Sequence, residues 1–141
     1  MQKGLITLLL LITIQVCHAQ FKLQSGQPIT IAVDQAEKSV VNTALQLFSR
    51  DYQVVFSAAA NKNSKQGNII IGTIGQSTLP ELTYVDTSFL KGKKQAFILT
   101  VLPNHKLLII GSDSHGTAYG IMELSRLIGV SPWEWWADAT P

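Results

Sequence analysis

The sequence predicts an α/β (α+β) two-layer sandwich, with two helices on one face of a mixed sheet of about five strands. Three observations carry that expectation. Two segments, 35–50 and 113–128, place apolar residues at helical spacing. Two runs, 69–71 and 107–110, are apolar without alternation, as in strands buried on both faces. Two further strand-like runs, QAFILTVL and KLLIIGS, are separated only by PNH, a loop short enough to permit nothing but an antiparallel hairpin.

In chain order, residues 1–19 read as an export signal. Lys3 precedes an apolar run from Leu5 to Val16, and the small residues Cys17 and Ala19 place the cut before Gln20. The run is short for a membrane span, which takes about 20 apolar residues, so a retained anchor is the weaker reading. A lipid-modified Cys17 is weaker still, because bulky Val16 precedes it. Export implies a periplasmic or extracellular location.

Residues 20–27 read as a linker and 28–130 as one domain. PITIAVD at 28–34 is a β-branched strand. Asp34 and Glu37 then suggest a capping box for a helix from Gln35 to about Arg50, with Val40, Val41, Ala44, Leu45 and Phe48 as its apolar stripe. YQVVFS at 52–57 reads as a second strand, AAANKNSKQG as a polar loop and NIIIGTIG as a third strand. Residues 75–94 have no period and read as an irregular connection with a short helical turn. After the hairpin, Ala118, Ile121, Met122, Leu124, Leu127 and Ile128 form a wide helical face that Gly129 ends. The doubly apolar strands suggest that a partner or further chain covers part of the sheet face opposite the helices.

Composition limits the chemistry. Cys17 is the only cysteine among 141 residues, and it leaves with the signal. The exported domain is therefore expected to hold together by core packing, without a disulfide or a cysteine ligand. A formal charge of +2, of which Lys3 is lost, gives no basis for nucleic-acid binding. No cofactor is expected. His105 in the hairpin turn, His115 at a helix start and His18 in the signal do not make a metal site, which takes three or four ligands.

GSDSHGTAYG at 111–120 turns from strand to helix and could hold an anion on backbone N–H groups. The preferred reading is that Ser112 or Asp113 caps the helix, while Gly116 and Gly120 let it approach the sheet. It lacks the Gly-Lys-Ser/Thr of a phosphate loop, and SDSH is no nucleophile elbow. Carboxylate pairs drive glycoside hydrolysis, and Glu123, Glu134 and Asp138 are the candidates near the C-terminus. Glu123 falls on the polar side of its helix, so no catalytic residue is assigned.

Trp133, Trp135 and Trp136 lie in the closing GVSPWEWWADATP. In an extended segment Trp133 and Trp135 face one way and Trp136 the other. They therefore do not form one flat sugar platform and suit a wedge between domains; as substrate-binding residues they are weak candidates.

These last stretches carry a resemblance. IIGSDSHGTAYGIMELSRLIGVSPWEWWAD, 109–138, resembles the segment that closes the N-terminal domain of glycoside hydrolase family 115, the xylan α-glucuronidases. IIIGTIGQS at 69–77 and KKQAFILTV, with Gln95 replacing the family's usual acid, resemble earlier segments of the same domain. The resemblance implies the small α/β domain that precedes the barrel in hexosaminidases and α-glucuronidases. It also implies an exported enzyme that removes (4-O-methyl-)glucuronic acid from xylan. In that family the catalytic carboxylates lie in a barrel that follows the Trp-Trp-Ala-Asp segment, so none can be placed on this chain. Residues 131–141 would start the connection to that barrel, in cis or in trans, and the chain by itself is expected to be inactive. The alternative is a stand-alone exported carbohydrate-binding or interaction domain.

Overall fold

The structure is a computed structural model that describes residues 20–131. The signal segment, the three tryptophans, Glu134 and Asp138 lie outside the described residues. Five strands and two helices follow in the order β1 (Ile29–Val33), α1 (Ser39–Phe56), β2 (Ala60–Asn63), β3 (Ile69–Thr73), β4 (Phe97–Val101), β5 (Leu107–Gly111) and α2 (Ser114–Leu127). The sheet order is β2-β1-β3-β5-β4. Strands β2, β1, β3 and β5 are parallel, in registers that set Ile31 beside Ile69 and Ile71 beside Ile109. The edge strand β4 runs antiparallel to β5, with Leu99 beside Ile109, which is the hairpin read from the sequence.

Alternation along the parallel strands divides two cores. Ile29, Ile31, Val33, Ile69, Ile71, Leu107 and Ile109 pack with Val41, Leu45, Phe48, Ala118, Ile121 and Leu124 from both helices. The intervening residues Ala32, Ile70 and Leu108 face the other way, since successive side chains of a strand point to opposite faces. This is the two-layer arrangement expected, and it explains why β3 and β5 are buried along their whole length. The second face is covered in part by the chain itself. Leu79, Leu82, Val85 and Leu102 close over Ala32, Ile70 and Leu108, so the irregular segment after β3, with 3-10 turns at Pro80–Tyr84 and Ser88–Leu90, forms a lid on the sheet.

Four local expectations need correction. Residues 52–56 are the last turns of α1, not a strand. The Tyr52 and Phe56 rings stack at 4.6 Å, Phe48 lies 6.0 Å from Tyr52, and the Tyr52 hydroxyl donates to Gln27 O at 2.9 Å. Three aromatic rings at four-residue spacing keep the segment helical, whereas a strand would send Val54 to the opposite side from Val55. The segment read as a polar loop contains β2, whose backbone completes the sheet beside β1 although its side chains are mostly exposed. Helix α1 starts at Ser39 rather than Gln35, and its N-cap Lys38 makes no side-chain cap bond. Finally, Leu127 lies on the outer side of α2, 55% exposed, not on its buried face.

Helix α2 begins where the sequence places it. Asp113 is the N-cap and accepts from Gly116 N at 2.8 Å. A Cβ at Gly116 would sit 2.2 Å from Ala96 O, and one at Gly120 would sit 2.5 Å from Ile109 Cγ2. The two glycines therefore set how closely α2 lies on β4 and β5. Residues 20–27 also lie against the domain: Phe21 and Leu23 pack on the main core, and Gly26 N donates to Phe56 O.

Candidate functional site

Ligand sites of open parallel sheets collect at the carboxyl ends of the strands, where connections leave in opposite directions. Here β1 leads to α1 and β2 on one side, while its other neighbour is β3. The richest polar cluster of the described residues lies at that point, built from Asp34 and Glu37 after β1, Thr73 at the end of β3, Thr78 beyond it, and Asp113 and Thr117 after β5.

Asp34 and Glu37, expected to form a capping box, instead tie the β1 connection to its neighbours. Asp34 Oδ1 accepts from Ala36 N at 3.0 Å, and Oδ2 accepts from Thr78 N at 3.0 Å and Thr78 Oγ1 at 2.7 Å. The Ala36 and Thr78 hydrogen bonds hold the Asp34 carboxyl down at about 2. Glu37 is 5% exposed. Its Oε1 accepts from Thr73 N and its Oε2 meets Thr73 Oγ1, both at 2.8 Å. Thr73 Oγ1 in turn lies 2.7 Å from Thr117 Oγ1, which reaches Gly72 O at 3.2 Å. Burial pushes the Glu37 carboxyl above its ordinary value, against the two Thr73 hydrogen bonds, and the charge of Asp34 adds to the rise.

Two nearby carboxyl groups whose titrations are pushed apart resemble an acid/base pair. The geometry argues otherwise. All four oxygens are engaged within the domain, and Glu37 is sealed under β3 and α2. A proton-transfer group must come within about 2.6–3.2 Å of the substrate proton, and Glu37 faces protein. The cluster is a latch that joins the exits of β1 and β3 to the start of α2.

The strand-to-helix turn at 111–120 is closed in the same way. Asp113 Oδ1 occupies the helix start at Gly116 N, and Oδ2 accepts from Gln95 N at 2.8 Å. These two bonds, Gln95 first, lower the Asp113 carboxyl. A carboxylate already fills the place an external anion would take. Ser112 ties the other side, its Oγ accepting from Ala96 N at 3.1 Å.

The remaining sequence candidates are dispersed. Glu123 pairs with Arg126 on the surface of α2, through contacts of 2.7 and 2.6 Å. His105 occupies the hairpin turn at φ 60°, with Nδ1 3.2 Å from Gln20 O, while His115 lies in the first turn of α2. Among the described residues no three His, Cys, Asp or Glu side chains cluster as metal ligands, and no helix is long and apolar enough to cross a membrane. Trp133, Trp135 and Trp136, the candidates for substrate binding, lie outside the described residues. Sequence reasoning missed the role of Thr73 and Thr117, because two isolated threonines 44 residues apart carry no local signal.

Fold and cluster together define a small α/β domain whose polar groups serve its own architecture. Comparison with known proteins makes this specific. The chain matches, at 61% identity and TM-score 0.83 over 86% of its length, a solved structure of a family GH115 4-O-methyl-α-glucuronidase with specificity for decorated arabinogalactans. It belongs to that family as a counterpart of the N-terminal domain. The match spans 16% of the length of that enzyme. No family model and no curated protein sequence matches the chain.

Proposed function

We propose that this chain is the non-catalytic N-terminal domain of an exported α-glucuronidase, working in the periplasm or outside the cell. It acts as a rigid platform for a catalytic barrel supplied in cis or in trans, which removes (4-O-methyl-)glucuronic acid from a plant polysaccharide. Glucuronoxylan is the substrate class suggested by the sequence resemblance, and decorated arabinogalactan is the one named for the solved relative. The observation that carries this reading is identity of 61% to one sixth of a much larger glucuronidase. The latch supports it: the acidic groups that look most like chemistry are consumed in holding strand ends together. The tryptophans Trp133, Trp135 and Trp136 are assigned to the contact with the barrel.

A second reading is a stand-alone carbohydrate-binding domain without hydrolase activity, favoured by Tyr84, whose side chain is 65% exposed beside Leu102 and Pro103. Assay of the purified chain on glucuronoxylan and on arabinogalactan, with released uronic acid as readout, addresses the first proposal. No release is expected from the chain alone, and measurable turnover would refute a non-catalytic role. Saturable quenching of tryptophan fluorescence by either polysaccharide, lost in Trp135→Ala, would favour the second reading.

A further inference from the structure

On the sheet face opposite the helices, beside the Pro80–Tyr84 turn of the lid, lies an open groove of ≈ 610 Å3. Thr30 of β1, Asn63 of β2, and Asn68 and Lys106, just before β3 and β5, line it, with Lys65 and Glu81 on its flanks. Strand alternation places these floor residues on the same face as Ala32, Ile70 and Leu108. Thr30, Asn68 and Lys106 form one polar row across three neighbouring strands, and Asn63 lies beside Ala32 at the edge of the apolar second core.

The hydrogen bonds fix what this row offers. Asn63 Oδ1 accepts from Lys65 N at 2.8 Å and Gln66 N at 3.2 Å, and Asn68 Oδ1 accepts from Thr30 N at 3.1 Å. Backbone N–H groups only donate, so both carboxamides must turn their oxygens inward and leave their NH2 groups as donors. Lys106 Nζ is anchored at 3.1 Å on Glu81 Oε1, which uses one of its three hydrogens. Lys65 adds a second ammonium. Against Glu81, the two lysines leave the groove with a net positive charge, and its available side-chain groups are mostly donors.

A matching ligand is rich in acceptors, carries a negative charge and is small enough for a cavity of a few hundred Å3. The geometry points to a binding site for an acidic sugar, a uronic acid unit within an oligosaccharide, in the groove between β2, β5 and the Pro80–Tyr84 turn. Its carboxylate takes the Lys65 ammonium, while its ring hydroxyls accept from the Asn63 and Asn68 NH2 groups. This goes beyond the platform role, and it applies whether or not a barrel packs elsewhere on the domain.

Titration of the purified full chain with methyl glucuronoside, methyl glucoside and acetate, followed by amide NMR, tests it. The side-chain NH2 signals of Asn63 and Asn68 should shift saturably with the glucuronoside. The glucoside and acetate should each bind about tenfold or more weakly, a difference of roughly 1.4 kcal/mol. Lys65→Gln, which breaks no hydrogen bond of the fold, should weaken glucuronoside binding several-fold without changing the melting temperature. Lys106→Gln is the poorer variant because it strands Glu81. Equal binding of the glucoside, equal binding of acetate, shifts confined to other regions, no shift at all, or an unaffected Lys65→Gln would each overturn the proposal.

Discussion

At the scale of single residues, Glu37 carries the clearest pH signature. Its ordinary value is 4.5 and burial raises it in the folded domain. Between those two values the native state holds a proton that the unfolded chain has released, so stability falls as pH rises through that window. Burial supplies the reason: it disfavours the carboxylate more than the hydrogen bonds donated by Thr73 N and Thr73 Oγ1 favour it. Glu37→Gln should keep the fold and flatten this part of the profile, as read by urea denaturation at stepped pH; an unchanged slope would place the dependence elsewhere. Asp34 acts in the opposite sense. Its carboxyl is lowered from 3.8 to about 2, so its contribution is present above 3.8 and is lost as pH falls toward 2. Asp113→Ala removes a cap and strands Gln95 N, and should cost about 1–2 kcal/mol by denaturant melts.

At the scale of elements, the long-period signals were readable and the contested ones were decided by contacts distant in sequence. The unbroken apolar runs of β3 and β5 and the three-residue hairpin loop were legible because burial on both faces and loop length leave few alternatives. Helix α2 was legible from Asp113, its apolar face and Gly129, although Leu127 matched the pattern without being buried. The end of α1 was not legible. Its local sequence, YQVVFS, favours a strand, and the competing helix is held by Phe48 and by Gln27 O, 25 residues away from Tyr52. Strand β2 was illegible for the converse reason: ANKN has no apolar pattern, and only the backbone of β1 makes it a strand. Tyr52→Phe should therefore cost about 0.5–1.5 kcal/mol through the lost bond to Gln27 O, measured by chemical denaturation. Gly116→Ala should cost more, because its Cβ would meet the backbone of Ala96; a neutral Gly116→Ala would mean that α2 can lift from the sheet freely. Of the candidate site, the Asp113 cap was legible, while the Glu37–Thr73–Thr117 latch was not, since its members come from three separate elements.

At the scale of the whole molecule, the domain closes its own polar groups at the strand ends and covers part of its second sheet face with the segment after β3. Such a body fits the platform role proposed above. On the function proposed above, its load is the remainder of such an enzyme, of which the matched region is one sixth. The most direct test is complementation. The remainder of the related GH115 glucuronidase, produced without its counterpart domain, would be mixed with this full chain, and complex formation and uronic acid release would be followed together. The account predicts a stable complex and release that rises above that of either part alone. A folded chain that neither binds the remainder nor changes its activity would contradict the platform role, as would uronic acid release by this chain with no partner present.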